Sequence, residues 1–145
     1  MLAIILLLTA WTGTKITHSD AEWRIKLGEK NYHVMREAGT ENSFLGKYVF
    51  TDEKGMYRCA GCNLALFDSK DKIFLGCGWP TFSKPIFPKN VYYLEDWRIG
   101  FKRYQVLCRQ CDSHLGHVFK EESLRYCVNS CCLTLDLDSV ISFIE

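Results

Sequence analysis

The sequence has almost no imbalance of charge, and this excludes one large class of partner. Eighteen Lys and Arg residues offset seventeen Asp and Glu residues, which leaves a formal net charge of +1 over 145 residues. Neither the basic surface that binds nucleic acid nor an acidic tail is present. We therefore expect no nucleic acid partner, and we expect any partner to be recognised at a local site.

The chain also lacks an apolar run of the length that crosses a membrane. Its longest apolar run, residues 1–11, is shorter than the roughly 20 residues of a transmembrane helix, so no stable membrane insertion is expected. The length suits a secretory signal, but no Lys or Arg precedes the run and no good cleavage site follows it. Residues 1–20 are therefore set apart as an apolar N-terminal segment. The expected location is the secretory pathway or the exterior if this segment is a signal peptide, and the cytoplasm if it is retained.

No repeat, low-complexity tract or linker divides residues 21–145, which predicts a single domain. A helical pattern covers residues 21–39. After it, short runs rich in β-branched and aromatic residues alternate with turn-forming residues. Seven of these runs predict strands: GMYRC, ALFDS, NVYYLED, YQVLC, GHVFK, RYCVNS and CLTLDLD. The expected fold is mainly β, with antiparallel sheet and a short helical N-terminal segment.

Eight cysteines are many for a chain of this length. Four of them form two C-x-x-C pairs: CAGC holds Cys59 and Cys62, and CRQC holds Cys108 and Cys111. Four thiolates are the ligand set of a closed tetrahedral zinc site. Because 45 residues separate the pairs, we expect them on separate hairpins that one structural zinc ion clamps together. Two disulfides, or a redox-active C-x-x-C, are the alternatives.

The other cysteines are the candidates for chemistry. Cys77 lies between two glycines in GCGWPTF, which indicates a mobile or tightly turned loop that exposes the thiol. Cys127 lies in RYCVNS, where a strand places Arg125, Cys127 and Asn129 on one face. A guanidinium beside a thiol lowers the pKa of the thiol, so this face is a candidate nucleophile pocket. For both thiols the alternative is a buried structural cysteine.

The motif HLGHVF supplies His114 and His117 directly after the second cysteine pair. With the metal already held by cysteines, we interpret these histidines as polar groups at a pocket edge that donate protons near neutral pH. The alternative is that one of the two is only structural.

Five motifs in this order resemble those of the methionine-R-sulfoxide reductases, the B-type enzymes. They are GTENSFLGKY, GMYRCAGCNLALFDS, GCGWPTF, CRQCDSHLGHVF and LRYCVNS, and the similarity covers residues 25–135. The resemblance implies two antiparallel sheets and an enzyme that reduces methionine sulfoxide, a reversible product of sulfur oxidation. The implied substrates are oxidised proteins or peptides.

The resemblance also implies a role for each candidate residue. Cys127 falls where the family has its catalytic cysteine, and Cys77 falls where many members have the resolving cysteine. Trp79 matches the indole that receives the methyl group of the sulfoxide. The polar residues around the sulfoxide are matched by His114, His117 and Asn129, and the arginine near the nucleophile by Arg125. The zinc ligands are matched by Cys59, Cys62, Cys108 and Cys111.

In the implied mechanism the Cys127 thiolate attacks the sulfoxide sulfur while His117 or His114 protonates the oxygen. Methionine leaves, and Cys127 becomes a sulfenic acid. Cys77 then forms a disulfide with Cys127, which a thioredoxin-like dithiol reduces. We expect a monomer with one structural zinc ion per chain.

Two features depart from the family's pattern. The four residues KEES, 120–123, replace a longer Gly- and Pro-rich loop, which leaves the substrate preference and the reach of Arg125 open. Cys131 and Cys132 stand where small or apolar residues are usual. On a continued strand Cys131 shares the face of Cys127, so it is either an alternative resolving thiol or a small buried hydrophobe.

Two rival functions are considered beside the enzyme. One is a non-catalytic zinc-binding β module that binds a protein partner, as in an exchange-factor-type chaperone family of related fold. The other is an extracellular disulfide scaffold. The first has no use for Cys77, Trp79, His117 and Cys127 together, and the second needs neither HLGHVF nor GWPTF.

Overall fold

The structure is a computed structural model that describes residues 11–138. The first ten residues of the predicted apolar segment lie outside the described residues. Residues 11–19 form neither helix nor strand, and Lys15 and Ile16 contact the turn of the second cysteine pair. Ile16 N donates to Gln110 O at 2.8 Å, and Lys15 Nζ donates to Asp112 Oδ1 at 2.7 Å. Among residues 11–138, no helix is both long enough and apolar enough to span a membrane.

The helix α1 (Asp20–Arg36) confirms the helical pattern near the N-terminus. Ser19 caps it, because its hydroxyl accepts from Glu22 N at 3.2 Å while the Glu22 carboxylate accepts from Ser19 N at 2.8 Å. Gly28 has a φ of 74° and introduces a kink. The buried side chains of the helix are Trp23, Tyr32, Val34 and Met35.

The part of the chain that the structure describes has nine strands, all paired antiparallel. They are β1 (Gly55–Cys59), β2 (Ala65–Asp68), β3 (Lys72–Ile73), β4 (Thr81–Phe82), β5 (Val91–Asp96), β6 (Arg103–Cys108), β7 (His114–Lys120), β8 (Leu124–Val128) and β9 (Leu133–Leu137). The smaller sheet has the order β2-β1-β9, and the larger has the order β3-β4-β8-β7-β6-β5. Two antiparallel sheets and all seven predicted strands are confirmed, and the two-residue strands β3 and β4 are additional.

Aromatic side chains form the core between the two sheets. The rings of Phe67 and Phe82 stack with centroids 4.4 Å apart, and the Tyr57 ring meets Phe82 edge-on at 5.1 Å. All three are fully buried. Burying one such side chain stabilises a fold by about 1.5–3 kcal/mol. These rings therefore fix the smaller sheet against the strands β4 and β8 of the larger one.

The chain after β8 differs from the sequence prediction. The strand ends at Val128, and Ser130–Cys132 form a 3₁₀ turn. Cys131 is therefore not on a continued strand beside Cys127, and that prediction is wrong. The Glu41 carboxylate holds the turn by accepting the N–H groups of Ser130 and Cys131. Cys132 is fully buried, with its sulfur 3.3 Å from His114 O, which makes it a structural residue.

Candidate active site and metal site

A row of side chains across the larger sheet forms the centre of the site. Cys127 on β8 is paired with Thr81 on β4 on one side and with His117 on β7 on the other. His117 is in turn opposite Gln105 on β6. Because cross-strand partners lie on the same face of a sheet, the thiol, the hydroxyl and the imidazole share one side.

Cys127 and His117 of this row line a cleft of about 360 Å³. Six of the seven residues predicted for catalysis or substrate binding line it: Cys77, Trp79, His117, Arg125, Cys127 and Asn129. The structure thus brings together residues that are up to 52 positions apart in the sequence, between Cys77 and Asn129. The seventh, His114, is not in the lining.

Cys77 reaches the cleft from the loop between β3 and β4. Its neighbours Gly76 and Gly78 have φ values of 68° and 92°, a backbone conformation that favours glycine. Gly78 O accepts from Phe44 N at 2.8 Å. The loop is therefore tightly turned and attached to the segment around Phe44, with the Cys77 thiol half-buried.

Trp79 and Asn129 are both attached to the backbone of Glu41. The indole N–H of Trp79 donates to Glu41 O at 3.1 Å, and Asn129 Oδ1 accepts from Glu41 N at 3.0 Å. Asn129 Nδ2 also donates to Leu115 O at 3.0 Å. The first bond holds the indole in the cleft. The other two connect the Asn129 amide to the backbone of Glu41 and Leu115.

The two thiols of the cleft have opposite pKa shifts. Burial raises the pKa of Cys127 to about 11, and the nearby Arg125 charge opposes this only weakly. For Cys77, burial also raises the pKa, but hydrogen bonds from the Thr81 side chain and the Trp79 backbone oppose it, and the net pKa is lowered. Arg125 lowers the pKa of Cys127, as the sequence predicts, but burial outweighs this effect, and the guanidinium is also paired with Glu121 at 2.6 Å.

His117 is oriented by a buried carboxylate. His117 Nε2 lies 2.8 Å from Asp96 Oδ2, and Arg98 and Arg103 bind the same oxygen at 2.7 and 3.1 Å. The Arg98 hydrogen bond is the largest influence that holds the pKa of Asp96 well below its usual range. Because an ionised carboxylate only accepts, the proton of a neutral His117 lies on Nε2, and Nδ1 carries a lone pair.

Both histidines of HLGHVF have lowered pKa values. Burial is the main cause for His117, and the nearby arginines reinforce it although Asp96 opposes it. Burial lowers the pKa of His114 to about 4. Both rings are therefore neutral near pH 7, and a neutral imidazole has a nitrogen that can accept a proton.

His114 lies beside His117 rather than at the pocket edge, which corrects the sequence prediction. It is 2% exposed, its Nδ1 lies 3.0 Å from Gln105 Oε1, and its ring centroid is 5.3 Å from that of His117. The pairing of β6 with β7 shifts at Leu115, which is an irregularity of the β-bulge kind. This shift brings two histidines three residues apart onto one face.

The two C-x-x-C pairs form matching turns at the ends of two strands. β1 ends at Cys59 and β6 ends at Cys108, and the residue four positions on donates back to each carbonyl. Asn63 N donates to Cys59 O at 2.8 Å, and Asp112 N donates to Cys108 O at 2.9 Å. One turn belongs to the smaller sheet and the other to the larger sheet, which confirms that the pairs lie on separate hairpins.

The four sulfurs of these turns meet at one point between the sheets. They lie within 4.8 Å of one another and belong to Cys59, Cys62, Cys108 and Cys111. Three of the four residues are buried. This cluster can hold a metal ion that joins the two sheets.

Sequence reasoning missed three residues of the site: Thr81, Asp96 and Glu41. Thr81 is part of GCGWPTF, but its place between the two thiols depends on the pairing of β4 with β8. Asp96 ends a predicted strand and has no neighbouring motif. An acidic residue at the end of a strand is usually solvated. The sequence therefore does not indicate that the Asp96 side chain is only 1% exposed.

The fold and the site together define a two-sheet β protein with a four-cysteine cluster that can hold a metal ion and two thiols that line one cleft. Residues 27–137 match the family model of the SelR domain. The chain is 43% identical over 124 residues to a peptide methionine sulfoxide reductase MsrB from Chromohalobacter salexigens, covering 82% of this chain and 93% of the relative. The chain belongs to the SelR domain family.

Two further relatives have the same printed name, peptide methionine sulfoxide reductase MsrB. The protein from Pseudomonas fluorescens is 46% identical over 125 residues, which cover 83% of this chain and 96% of the relative. The protein from Agrobacterium fabrum is 44% identical over 122 residues, which cover 81% of this chain and 90% of the relative. The similarity therefore extends through both sheets and the whole cleft.

Proposed function

We propose that the protein reduces methionine-R-sulfoxide in peptides or proteins to methionine. The observation that carries this proposal is the placement of Cys127 beside His117 in a cleft that also contains Cys77 and Trp79. A non-catalytic metal-binding module is the alternative. It is not favoured, because such a module has no use for two thiols and an oriented imidazole in one cleft.

In the first step the Cys127 thiol reacts with the sulfoxide. His117 Nδ1 takes the thiol proton, the Cys127 sulfur attacks the substrate sulfur, and the proton passes to the sulfoxide oxygen. The oxygen ends on Cys127 as a sulfenic acid, and methionine leaves as the sulfide. One thiol and one sulfoxide thus give one sulfenic acid and one sulfide, so the atoms and electrons balance.

The lining of the cleft distinguishes the two ends of the sulfoxide group. Trp79 provides an apolar surface for the methyl group, and His117 provides a proton for the oxygen. The sulfoxide must place its methyl group on Trp79 and its oxygen near His117 while its sulfur faces Cys127. Only one configuration at the sulfur atom meets all three conditions. This is the physical basis that we propose for selecting the R epimer.

Cys77 then completes the chemistry within the chain. Its sulfur attacks the sulfenic sulfur, a Cys77–Cys127 disulfide forms, and water leaves. A thioredoxin-like dithiol reduces this disulfide and restores both thiols. Each step takes place in one chain, so a monomer is sufficient.

We infer that the metal is zinc and that its role is structural. Zn–S bonds of about 2.3 Å at tetrahedral angles place sulfurs about 3.8 Å apart. Cys59 and Cys111 sulfurs are 3.7 Å apart, and Cys62 and Cys108 sulfurs are 3.5 Å apart. A disulfide has sulfurs at about 2.05 Å. With four thiolates bound, zinc has no open position, so it stabilises the fold and takes no part in the reaction.

The proposal is tested with purified protein, dithiothreitol and a peptide that carries either sulfoxide epimer. We expect reduction of the R epimer alone, loss of that activity in Cys127→Ser, and retention in Cys131→Ser, the matched control outside the cleft. Equally slow reduction by the wild type and Cys127→Ser would show that the proposal is wrong.

A further inference from the structure

Thr81 places a buried hydroxyl between the two thiols of the cleft. The residue is 1% exposed. Its Oγ1 lies 3.2 Å from Cys77 Sγ and 3.8 Å from Cys127 Sγ. Thr81 and Cys127 are also cross-strand partners. The pairing of β4 with β8 therefore keeps the hydroxyl beside the Cys127 sulfur. The contact between the hydroxyl and Cys77 joins residues only four positions apart in the chain.

The hydrogen bonds of this hydroxyl indicate what it can do. A threonine hydroxyl has one proton to donate and two lone pairs that accept. Oγ1 can donate to Trp79 O at 3.0 Å or toward Cys127 Sγ at 3.8 Å, and in its 3.2 Å contact with Cys77 Sγ either atom can be the donor. Burying a hydroxyl is unfavourable unless it is hydrogen-bonded, and valine fills about the same volume without that cost. The hydroxyl of Thr81 therefore has a role that the volume of its side chain alone does not supply.

We infer that Thr81 positions Cys77 for attack on the Cys127 sulfenic acid and relays the proton of that step. This inference rests on the proposed function, because it requires the sulfenic acid. The Cys77 thiol proton passes to Thr81 Oγ1, while the Thr81 hydroxyl proton passes to the sulfenic oxygen. The S–O bond of Cys127 breaks, the S–S bond forms, and one water leaves. The Cys127 sulfur is reduced, and the Cys77 sulfur is oxidised.

The surroundings of Cys77 support this assignment. Burial raises the pKa of the Cys77 thiol, but the hydrogen bond with Thr81 is the largest of the influences that lower it, and the net pKa is lowered. The lowered pKa favours release of the Cys77 proton, and Oγ1 lies 3.2 Å from the sulfur that releases it. The sulfenic oxygen is bonded to a sulfur that is itself 3.8 Å from Oγ1, which places the leaving group within reach of the same hydroxyl.

The test compares Thr81→Val, which keeps the shape, with Thr81→Ser, which keeps the hydroxyl. Reduced protein is mixed with a methionine-R-sulfoxide peptide without reductant, and methionine and disulfide are measured in the same quenched samples. In Thr81→Val we expect disulfide formation to slow about 100-fold relative to methionine formation. The sulfenic acid then accumulates and is trapped by a cyclic 1,3-dione. Thr81→Ser restores the wild-type ratio, and Thr134→Val on the exposed strand β9 is the matched control.

A pH profile separates a proton relay from a merely structural role. If Thr81→Val has lost only the proton relay, its rate of disulfide formation recovers as pH rises, because Cys77 then ionises without the hydroxyl. If the substitution has distorted the loop, the rate is low at every pH. A wild-type ratio of the two rates in Thr81→Val overturns the inference. Should Thr81→Val not fold, Thr81→Ala is measured by the same ratio. Absence of methionine in the wild type itself would instead refute the proposed function.

Discussion

His117 Nε2 and Asp96 Oδ2 lie 2.8 Å apart beside the cleft, and both side chains are buried. Arg98 and Arg103 bind the same carboxylate, so Asp96 is held by three side chains. This arrangement determines which nitrogen of His117 carries the proton in the neutral ring. In the proposed mechanism Asp96 is therefore a positioning residue for His117, whose free Nδ1 takes the proton of Cys127.

Replacing Asp96 tests this relationship. We expect Asp96→Asn to lower kcat for the R-sulfoxide about 10-fold, since the amide no longer fixes the imidazole proton on Nε2. Stability should fall by about 1–3 kcal/mol in urea unfolding, because charged hydrogen bonds to a buried carboxylate are lost while the half-exposed Arg98 remains solvated. The control is Asp136→Asn, whose exposed pair with Arg58 contributes little. Wild-type kcat in Asp96→Asn would contradict the assigned role.

The opposite pKa shifts of the two thiols predict the order of alkylation. At pH 7 iodoacetamide should modify Cys77 before Cys127, because a lowered pKa gives more thiolate and a pKa of about 11 gives very little. The alkylation rate of Cys127 should keep rising as pH increases toward 11, whereas that of Cys77 levels off earlier. Peptide mapping by mass spectrometry identifies the modified residue. Faster modification of Cys127 at pH 7 would contradict the prediction.

The close approach of β7 to β8 predicts a cost for any side chain at Gly116. A Cβ there would lie 1.9 Å from Cys127 O, so the two strands must separate. We expect Gly116→Ala to destabilise the protein by about 1–3 kcal/mol and to lower kcat, because the carbonyl that moves belongs to the nucleophile. Gly28→Ala is the matched control. A Cβ at Gly28 would meet open space, but the residue has a φ of 74°, so Gly28→Ala should lose stability and retain kcat.

The four-cysteine cluster predicts that metal and stability are lost together. Freshly purified, reduced protein should contain about one zinc per chain, and Cys62→Ser should contain much less. The melting temperature of Cys62→Ser should fall by more than about 10 °C, because a closed structural site contributes several kcal/mol to folding. Cys131 is also half-buried, and Cys131→Ser should keep both the zinc content and the melting temperature of the wild type. Full stability without metal would contradict a clamp between the sheets.

The two sheets and most of the site could be predicted because their signals are local. Each C-x-x-C pair is a turn of a few residues, and each predicted strand has its own pattern of apolar residues and turn formers. Cys77, Trp79 and Cys127 stand in short motifs whose order along the chain is itself informative. These features need no knowledge of how distant strands pair.

What could not be predicted depends on pairing and burial. Thr81 meets Cys127 only through the register of β4 with β8, and His114 joins the face of His117 only through the irregularity at Leu115. The raised pKa of Cys127 follows from burial, whereas the sequence shows only a nearby arginine. The position of Cys131 was mispredicted because a turn held by Glu41 replaces the expected strand.

A single turnover without reductant tests the central claim most directly. Reduced wild-type protein is mixed with excess methionine-R-sulfoxide peptide, and methionine and disulfide-linked peptides are measured. We predict about one methionine per chain, one disulfide that joins Cys77 to Cys127, and neither product in Cys127→Ser. Methionine formed without that disulfide, or no methionine from the R epimer, would contradict the account.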